Sequence, residues 1–201
     1  MKFLGIDTSG EYLAVVAKNE EKECVRLTEN CLHAHSVRLM DEIEGALQGA
    51  GMAAGDCEFF SVVVGAGSFT GIRIGISTVK GLCFAFAKPA LALTSFECIA
   101  YAERGEKMLP VLSAGHGFTY AAAYNGERCE ISPAYLSREQ AEELIRTGYE
   151  PRSFSALGLG EKVVNAGKGL LNASKALFER AGAASDLAAL YLRRSSAEER
   201  Q

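Results

Sequence analysis

No C-x-x-C pair and no paired-histidine spacing occurs in the 201-residue sequence, although six cysteines are present, at 24, 31, 57, 83, 98 and 129. A zinc site or a thioredoxin-like motif is therefore unsupported, and free thiols are the reading. No apolar run reaches the roughly 18 residues that a membrane span needs. The opening MKFLGIDTSG runs straight into a strand-like segment, with no apolar leader and no small-residue cleavage site. The expectation is a cytoplasmic protein with no membrane contact. Basic residues are too scattered to hold nucleic acid directly, since the formal charge is −4 and neutralising several phosphates needs clustered Lys and Arg. The densest cluster, Arg193, Arg194 and Arg200, is diluted by Glu198 and Glu199 and reads as a solvated tail. There is no fixed-period repeat and no low-complexity linker. What is present, 48% hydrophobic and 23% charged residues, suffices for a sizeable core.

Along the chain, KFLGID, YLAVVAK and ECVRLTE follow one another at hairpin-like distances and predict three adjacent, antiparallel strands. HAHSVRLMDEIEGALQGAG predicts an amphipathic helix closed by glycine at 49 or 51; Val37, Met40, Ile43 and Leu47 recur at three- and four-residue steps, with Leu39 and Ala46 widening the stripe. FFSVVV and ALAL are further strands, and SFECIAYAER a helix. A meander followed by alternating helices and strands implies a mixed sheet with helices packed on it. Beyond a boundary near Gly105, MLPVLSA, FTYAAAYNG and ERCEIS predict strands, the second closing on an Asn-Gly turn. SREQAEELIRTG predicts a helix with Ser137 as N-cap and Gln140 as its capping-box partner. SFSALGLG reads as a last strand, followed by a helix in GLLNASKALFERAG and a short segment DLAALYLRR.

The stretch VVVGAGSFTGIRIGISTVKGLCFAFAKPA, residues 62–90, concentrates the functional question. Its glycine turn fits neither the P-loop spacing nor G-x-G-x-x-G. The helix after the turn carries Gly71, Gly75 and Gly81, each of which weakens a helix interior by about 1 kcal/mol relative to alanine. Something must offset that. Ile72, Ile76 and Val79 can bury in a core, while the small-residue face of Gly71 and Gly75 allows another helix, of this chain or of a partner, to come close.

GAGSFTGIRIG followed by KGL, with FLGIDTS at the start, HSVRL between them and YLR near the C-terminus, resembles the TsaB (YeaZ) family of bacterial tRNA-modification proteins, inactive relatives of TsaD. The match covers residues 1–105 well and the rest in outline. The resemblance implies an α/β, actin-like and sugar-kinase-like (ribonuclease H-like) fold of two lobes, 1–105 and 106–201, each a mixed sheet packed by helices. It implies a non-catalytic scaffold in the synthesis of N6-threonylcarbamoyladenosine at position 37 of tRNA, docked to the transferase TsaD, with a TsaE-type ATPase associated, a homodimer in the absence of TsaD, and tRNA met only indirectly. The docking residues it implies are His35, Leu39, Met40, Ile43, Leu47, Gly71, Arg73, Gly75, Thr78 and Leu82. Asp7, Thr8 and Ser9 stand where the fold keeps a phosphate loop, and the resemblance implies a vestigial nucleotide loop there. No cofactor of its own is implied, ATP or ADP being admitted only at a joint site with TsaD.

Several residues invite sharper chemistry and are read against it. Asp7 could hold a magnesium-bound water, but an Asx or hydroxyl turn through Thr8 and Ser9 is the favoured reading. Where the catalytic relative carries an H-x-x-x-H metal pair, this chain has Ser95 and Ile99. His33 and His35, two apart, cannot share a metal on one helix face, and each is expected as a lone, partly exposed histidine. SAGHG, 113–117, replaces the family's acidic-basic turn, and His116 within it is expected as a surface-loop residue. The rival function is a small kinase-like or ATP-hydrolysing enzyme using Asp7 and the GAGSFTG turn. A proteolytic role lacks any metal pair or nucleophile-base motif.

Overall fold

A computed structural model describes residues 1–181 and 187–192; the basic cluster beyond Leu192 lies outside the described residues. Strands β1 (Phe3–Asp7), β2 (Leu13–Lys18) and β3 (Glu23–Thr28) form the predicted antiparallel meander. β4 (Phe59–Val63) then pairs with β1 in parallel, and β5 (Ala90–Leu93) with β4, giving the order β3-β2-β1-β4-β5. Every residue of β1 and β4 is buried, as expected of strands covered on both faces. Helix α1 (His35–Ala50) and helix α2 (Phe69–Phe86) cover one face of this sheet, joining Leu4, Ile6, Val15, Phe60 and Val62 in one core. The other face meets α3 (Ser95–Ala102) and α5 (Ala166–Ala181), with Phe3, Val16, Phe59, Leu91, Cys98, Leu170 and Leu171 in contact there.

The second sheet repeats the same path. β6 (Lys107–Gly115), β7 (Phe118–Asn125) and β8 (Arg128–Ser137) run antiparallel, β9 (Glu150–Ser153) pairs with β6 in parallel, and β10 (Lys162–Val163) with β9. Read outward from its first strand, the order β8-β7-β6-β9-β10 matches that of the first sheet. Helix α4 (Arg138–Arg146) begins at Ser137, whose hydroxyl accepts from the Gln140 backbone N–H while the Gln140 side chain accepts from the Ser137 N–H, the predicted capping box. The chain does not keep its halves apart: α5, from the second half, lies on the first sheet.

Four expectations are corrected. The inward stripe of α1 is His35, Leu39, Ile43, Ala46, Leu47 and Ala50, while Val37 and Met40 point outward, 77% and 58% exposed. SFSALGLG is not a strand beyond Ser153; β9 lies before it, and the loop is held instead by the Glu161 carboxylate, which accepts from the backbone N–H groups of Leu157, Gly158 and Leu159. The described part of DLAALYLRR, 187–192, is a non-helical strap. Finally, α2, 18 residues of mean hydropathy 1.2, is by length and composition alone apolar enough to cross a membrane, although its inner stripe of Gly71, Ile72, Gly75, Ile76 and Val79 is buried against its own sheet.

Candidate functional site

The turn after β1 and the turn after β4 meet under the N-terminus of α2. Asp7 is fully buried, and both its carboxylate oxygens are engaged. Oδ1 accepts from the Ser9 backbone N–H at 2.8 Å and from the Ser9 hydroxyl at 2.6 Å, and Oδ2 accepts from the Tyr12 hydroxyl at 2.7 Å. Burial raises the Asp7 pKa, opposed by these hydrogen bonds and by the charge of His35. Burial and the adjacent Asp7 carboxylate push the Tyr12 phenol well above its ordinary value. His35 donates from Nε2 to the Tyr12 carbonyl at 2.9 Å and is itself buried, which corrects the expectation of a partly exposed histidine; His33 is exposed. Asp7, Thr8 and Ser9 thus form the Asx alternative of the favoured turn, closed by the Asp7 carboxylate on Ser9.

That turn is tied to its neighbours by Thr8, whose hydroxyl donates to the Gly71 carbonyl at 2.7 Å, and by Ser9, whose carbonyl accepts from the Ser68 N–H at 2.7 Å. Gly65 and Gly67 take φ of 130° and 153°, a region L side chains rarely adopt, and let the glycine turn fold against the Leu190 carbonyl and against Ser9 respectively. Ser95 sits in the same seam, its hydroxyl donating to the Ala66 carbonyl at 2.6 Å, and Ile99 is core. His116 lies exposed at the tip between β6 and β7.

A Cβ on Gly71 would collide with the Thr8 carbonyl, and one on Gly75 would lie 2.6 Å from the Thr8 hydroxyl and 3.2 Å from Val62 Cγ2. The missing side chains of Gly71 and Gly75 admit the chain's own turn, so as docking residues they are corrected to internal packing. His35, Leu39, Ile43 and Leu47 are likewise committed to the first core. Of the implied docking residues, Met40 and Arg73 are exposed, Thr78 and Leu82 half-buried. Gly81 differs from the other two glycines: nothing lies within 4 Å of a Cβ built there.

The face α2 turns outward is assembled from residues three and four apart, Arg73, Ile74, Ser77, Thr78, Gly81 and Phe84, the last 93% exposed. Beside it the strap crosses the glycine turn, where the Leu190 N–H donates to the Val64 carbonyl at 2.7 Å, and Tyr191 stacks on Phe69 with ring centroids 4.9 Å apart. Ile74, Ser77 and Phe84 were not singled out by the sequence reading, though they lie on the helical repeat that includes Gly81. The Tyr191 contact carries no local signal.

A family profile described as "TsaD: tRNA N6-adenosine threonylcarbamoyltransferase" matches residues 28–190. Among curated proteins, a "tRNA threonylcarbamoyladenosine biosynthesis protein TsaB" of Bacillus subtilis is 32% identical over 62% of this chain and 55% of its own length. One of Buchnera aphidicola is 28% identical over 71% of this chain and 68% of its own. The chain belongs to the TsaB (YeaZ) branch of this family. It spans about half the length of the Bacillus TsaB that it matches. The solved "YeaZ from Pseudomonas aeruginosa" superposes with a TM-score of 0.80 at 23% identity, covering 95% of this chain and 99% of that one, so the two-sheet TsaB fold extends over both halves.

Proposed function

We propose that this TsaB chain is a non-catalytic subunit in the synthesis of N6-threonylcarbamoyladenosine in tRNA, docking a TsaD-type transferase through the outward faces of α1 and α2. One observation carries the reading: the two helices that cover the same face of the first sheet turn large apolar side chains outward, Val37 and Met40 from α1 and a nearly fully exposed Phe84 from α2, while their inner faces are already satisfied. Burying an aromatic or aliphatic side chain of this size contributes about 1.5–3 kcal/mol, so a few such anchors at the centre of an interface of roughly 1,600 Å² would hold a stable complex. The same face would form a homodimer when the transferase is absent, and a TsaE-type ATPase and tRNA would be reached through the transferase in the cytoplasm.

Asp7 supports a structural role for the vestigial loop, because its two oxygens are occupied by Ser9 and Tyr12. On this reading ATP or ADP belongs to a joint site completed by TsaD. The test uses Gly81→Arg, at an exposed position where an added Cβ meets nothing within 4 Å. Mixed with the TsaD-type transferase of the same genome and followed by size-exclusion chromatography with light scattering, the wild type is expected to form a heterodimer. The variant, with a melting temperature at or above that of the wild type because arginine is a better helix former than glycine, should lose it. Equal complex formation by both would overturn the assignment. Gly75→Leu is unsuitable for this purpose, since it would disrupt the Thr8 contact and the fold with it.

A further inference from the structure

On the outer face of α2 the surroundings hold Arg73 in place without neutralising it. Its guanidinium carbon lies 3.7 Å from the centroid of the Phe69 ring, and its Nε–H donates to the Tyr191 hydroxyl at 3.1 Å. Tyr191 in turn stacks on Phe69. Two successive turns of α2 and the strap therefore fix a single guanidinium, which spares much of the rotamer freedom an arginine ordinarily loses on binding. Among the described residues no carboxylate forms an ion pair with it. α2 itself contains Arg73 and Lys80 and neither Asp nor Glu, in a chain of net charge −4. Beside the guanidinium opens a hollow of about 500 Å³ lined by Phe69, Thr70, Arg73, Ile74, Ser77 and Thr78.

We propose that this hollow receives an Asp or Glu side chain from an otherwise apolar helix of the docked transferase; the inference rests on the docking reading above and names its specificity contact. Nε is committed to Tyr191, and the four N–H donors on the other two nitrogens remain for a bidentate carboxylate. Thr70 and Ser77 supply hydroxyls to its second lone pairs, while Phe69 and Ile74 form an apolar rim that limits access of water. Arg73 is the one cation among the residues lining this hollow, which suits one carboxylate on an apolar helix better than a polyanion such as tRNA.

Isothermal titration of the transferase of the same genome into the full chain, at about 50 mM and 300 mM salt, tests this. Arg73→Ala should weaken binding about 30-fold and flatten its salt dependence, Arg73→Glu should abolish it, and Arg73→Lys should recover only part of the loss because an ammonium lacks the fork. Tyr191→Phe, which frees the guanidinium without removing it, should weaken binding a few-fold at constant melting temperature. If the Arg73 variants bind as the wild type does while Gly81→Arg abolishes binding, the carboxylate receptor is wrong and the docking face stands. If Arg73→Ala loses affinity only in proportion to lost thermal stability, Arg73 is a structural residue and the inference falls. If the wild type itself does not bind the transferase, both readings fall. Binding of tRNA alone that depends on Arg73 would overturn the inference in favour of a nucleic-acid surface.

Discussion

The two sheets share a strand order and differ in what covers them. The first is enclosed between α1 and α2 on one face and α3 and α5 on the other, so β1 and β4 are buried throughout. The second borrows α3 for one face, where Phe96 and Ala100 meet Met108, Ala122 and Tyr124, and has α4 with the 155–160 loop for the other. Its edge strand β8 begins with five exposed residues and carries register shifts against β7. A sheet covered by two helices on each face tolerates no added atom at its seams, whereas a thinly covered one should tolerate, and even gain from, small changes. Close packing under α2 and looser packing in the second sheet are thus the two ends of one scale.

The largest effect is expected at Gly71. A methyl group there meets the Thr8 backbone carbonyl, not a movable side-chain end, so Gly71→Ala should destabilise the protein by about 3 kcal/mol despite alanine's higher helix propensity. Urea denaturation measures this directly. The same substitution at Gly81, where nothing lies within 4 Å, should be stabilising by up to about 1 kcal/mol. Equal effects at the two positions would erase the distinction between the inner and outer faces of the helix.

Asp7 comes next. Asp7→Ala leaves the Ser9 N–H, the Ser9 hydroxyl and the Tyr12 hydroxyl without their acceptor, at a cost of about 2–3 kcal/mol. The pH dependence has a defined sign. Because burial raises the folded pKa, the folded state holds this proton more tightly than the unfolded chain. The Asp7 contribution is therefore most favourable below the ordinary aspartate value of about 4 and declines as pH rises from there through the raised folded value. Asp7→Asn removes that dependence, so the difference between the two proteins' stability curves should fall in that window and be flat above it. A mildly acidic titration monitored by circular dichroism reads it. At the exposed edge, Glu42 moves the other way: the hydrogen bond from Arg26 lowers its pKa, so its contribution is lost as pH falls.

Much of this architecture was legible because buried strands announce themselves: FLGID, LAVVAK and FFSVV are continuous apolar runs bounded by turns. The capping box at Ser137 was equally plain, since both partners are three residues apart. Periodicity failed where a helix is apolar on two sides. In α1, Val37 and Met40 repeat as regularly as Leu39 and Ile43, and only the position of the sheet decides which pair turns inward. The glycines of α2 failed for a related reason. The spacing of Gly71 and Gly75 marks a close approach, but the approaching backbone is Thr8, 63 residues earlier in the chain than Gly71, which no local pattern reveals. The Arg73–Phe69–Tyr191 stack is longer-range still, spanning 118 residues between Arg73 and Tyr191.

The second sheet supplies the smallest effect and the most direct check on the scale. Thr119 in β7 is 7% exposed, and its hydroxyl is buried without a hydrogen-bond partner among the described residues. On and beside the first sheet the comparable buried hydroxyls are engaged: Ser61 of β4 and Ser174 of α5 bond each other at 2.7 Å, and Thr8 in the turn after β1 donates to Gly71. Valine has threonine's shape and its preference for strands, without the polar atom that burial strips of water. Thr119→Val should therefore stabilise the protein by about 1 kcal/mol, a rise of about 2–4 °C in Tm for a chain of this size. Ser61→Ala should do the reverse, because it leaves the Ser174 hydroxyl stranded. If both substitutions destabilise equally, the second sheet is as tightly specified as the first, and the contrast drawn from their cover does not extend to their energetics.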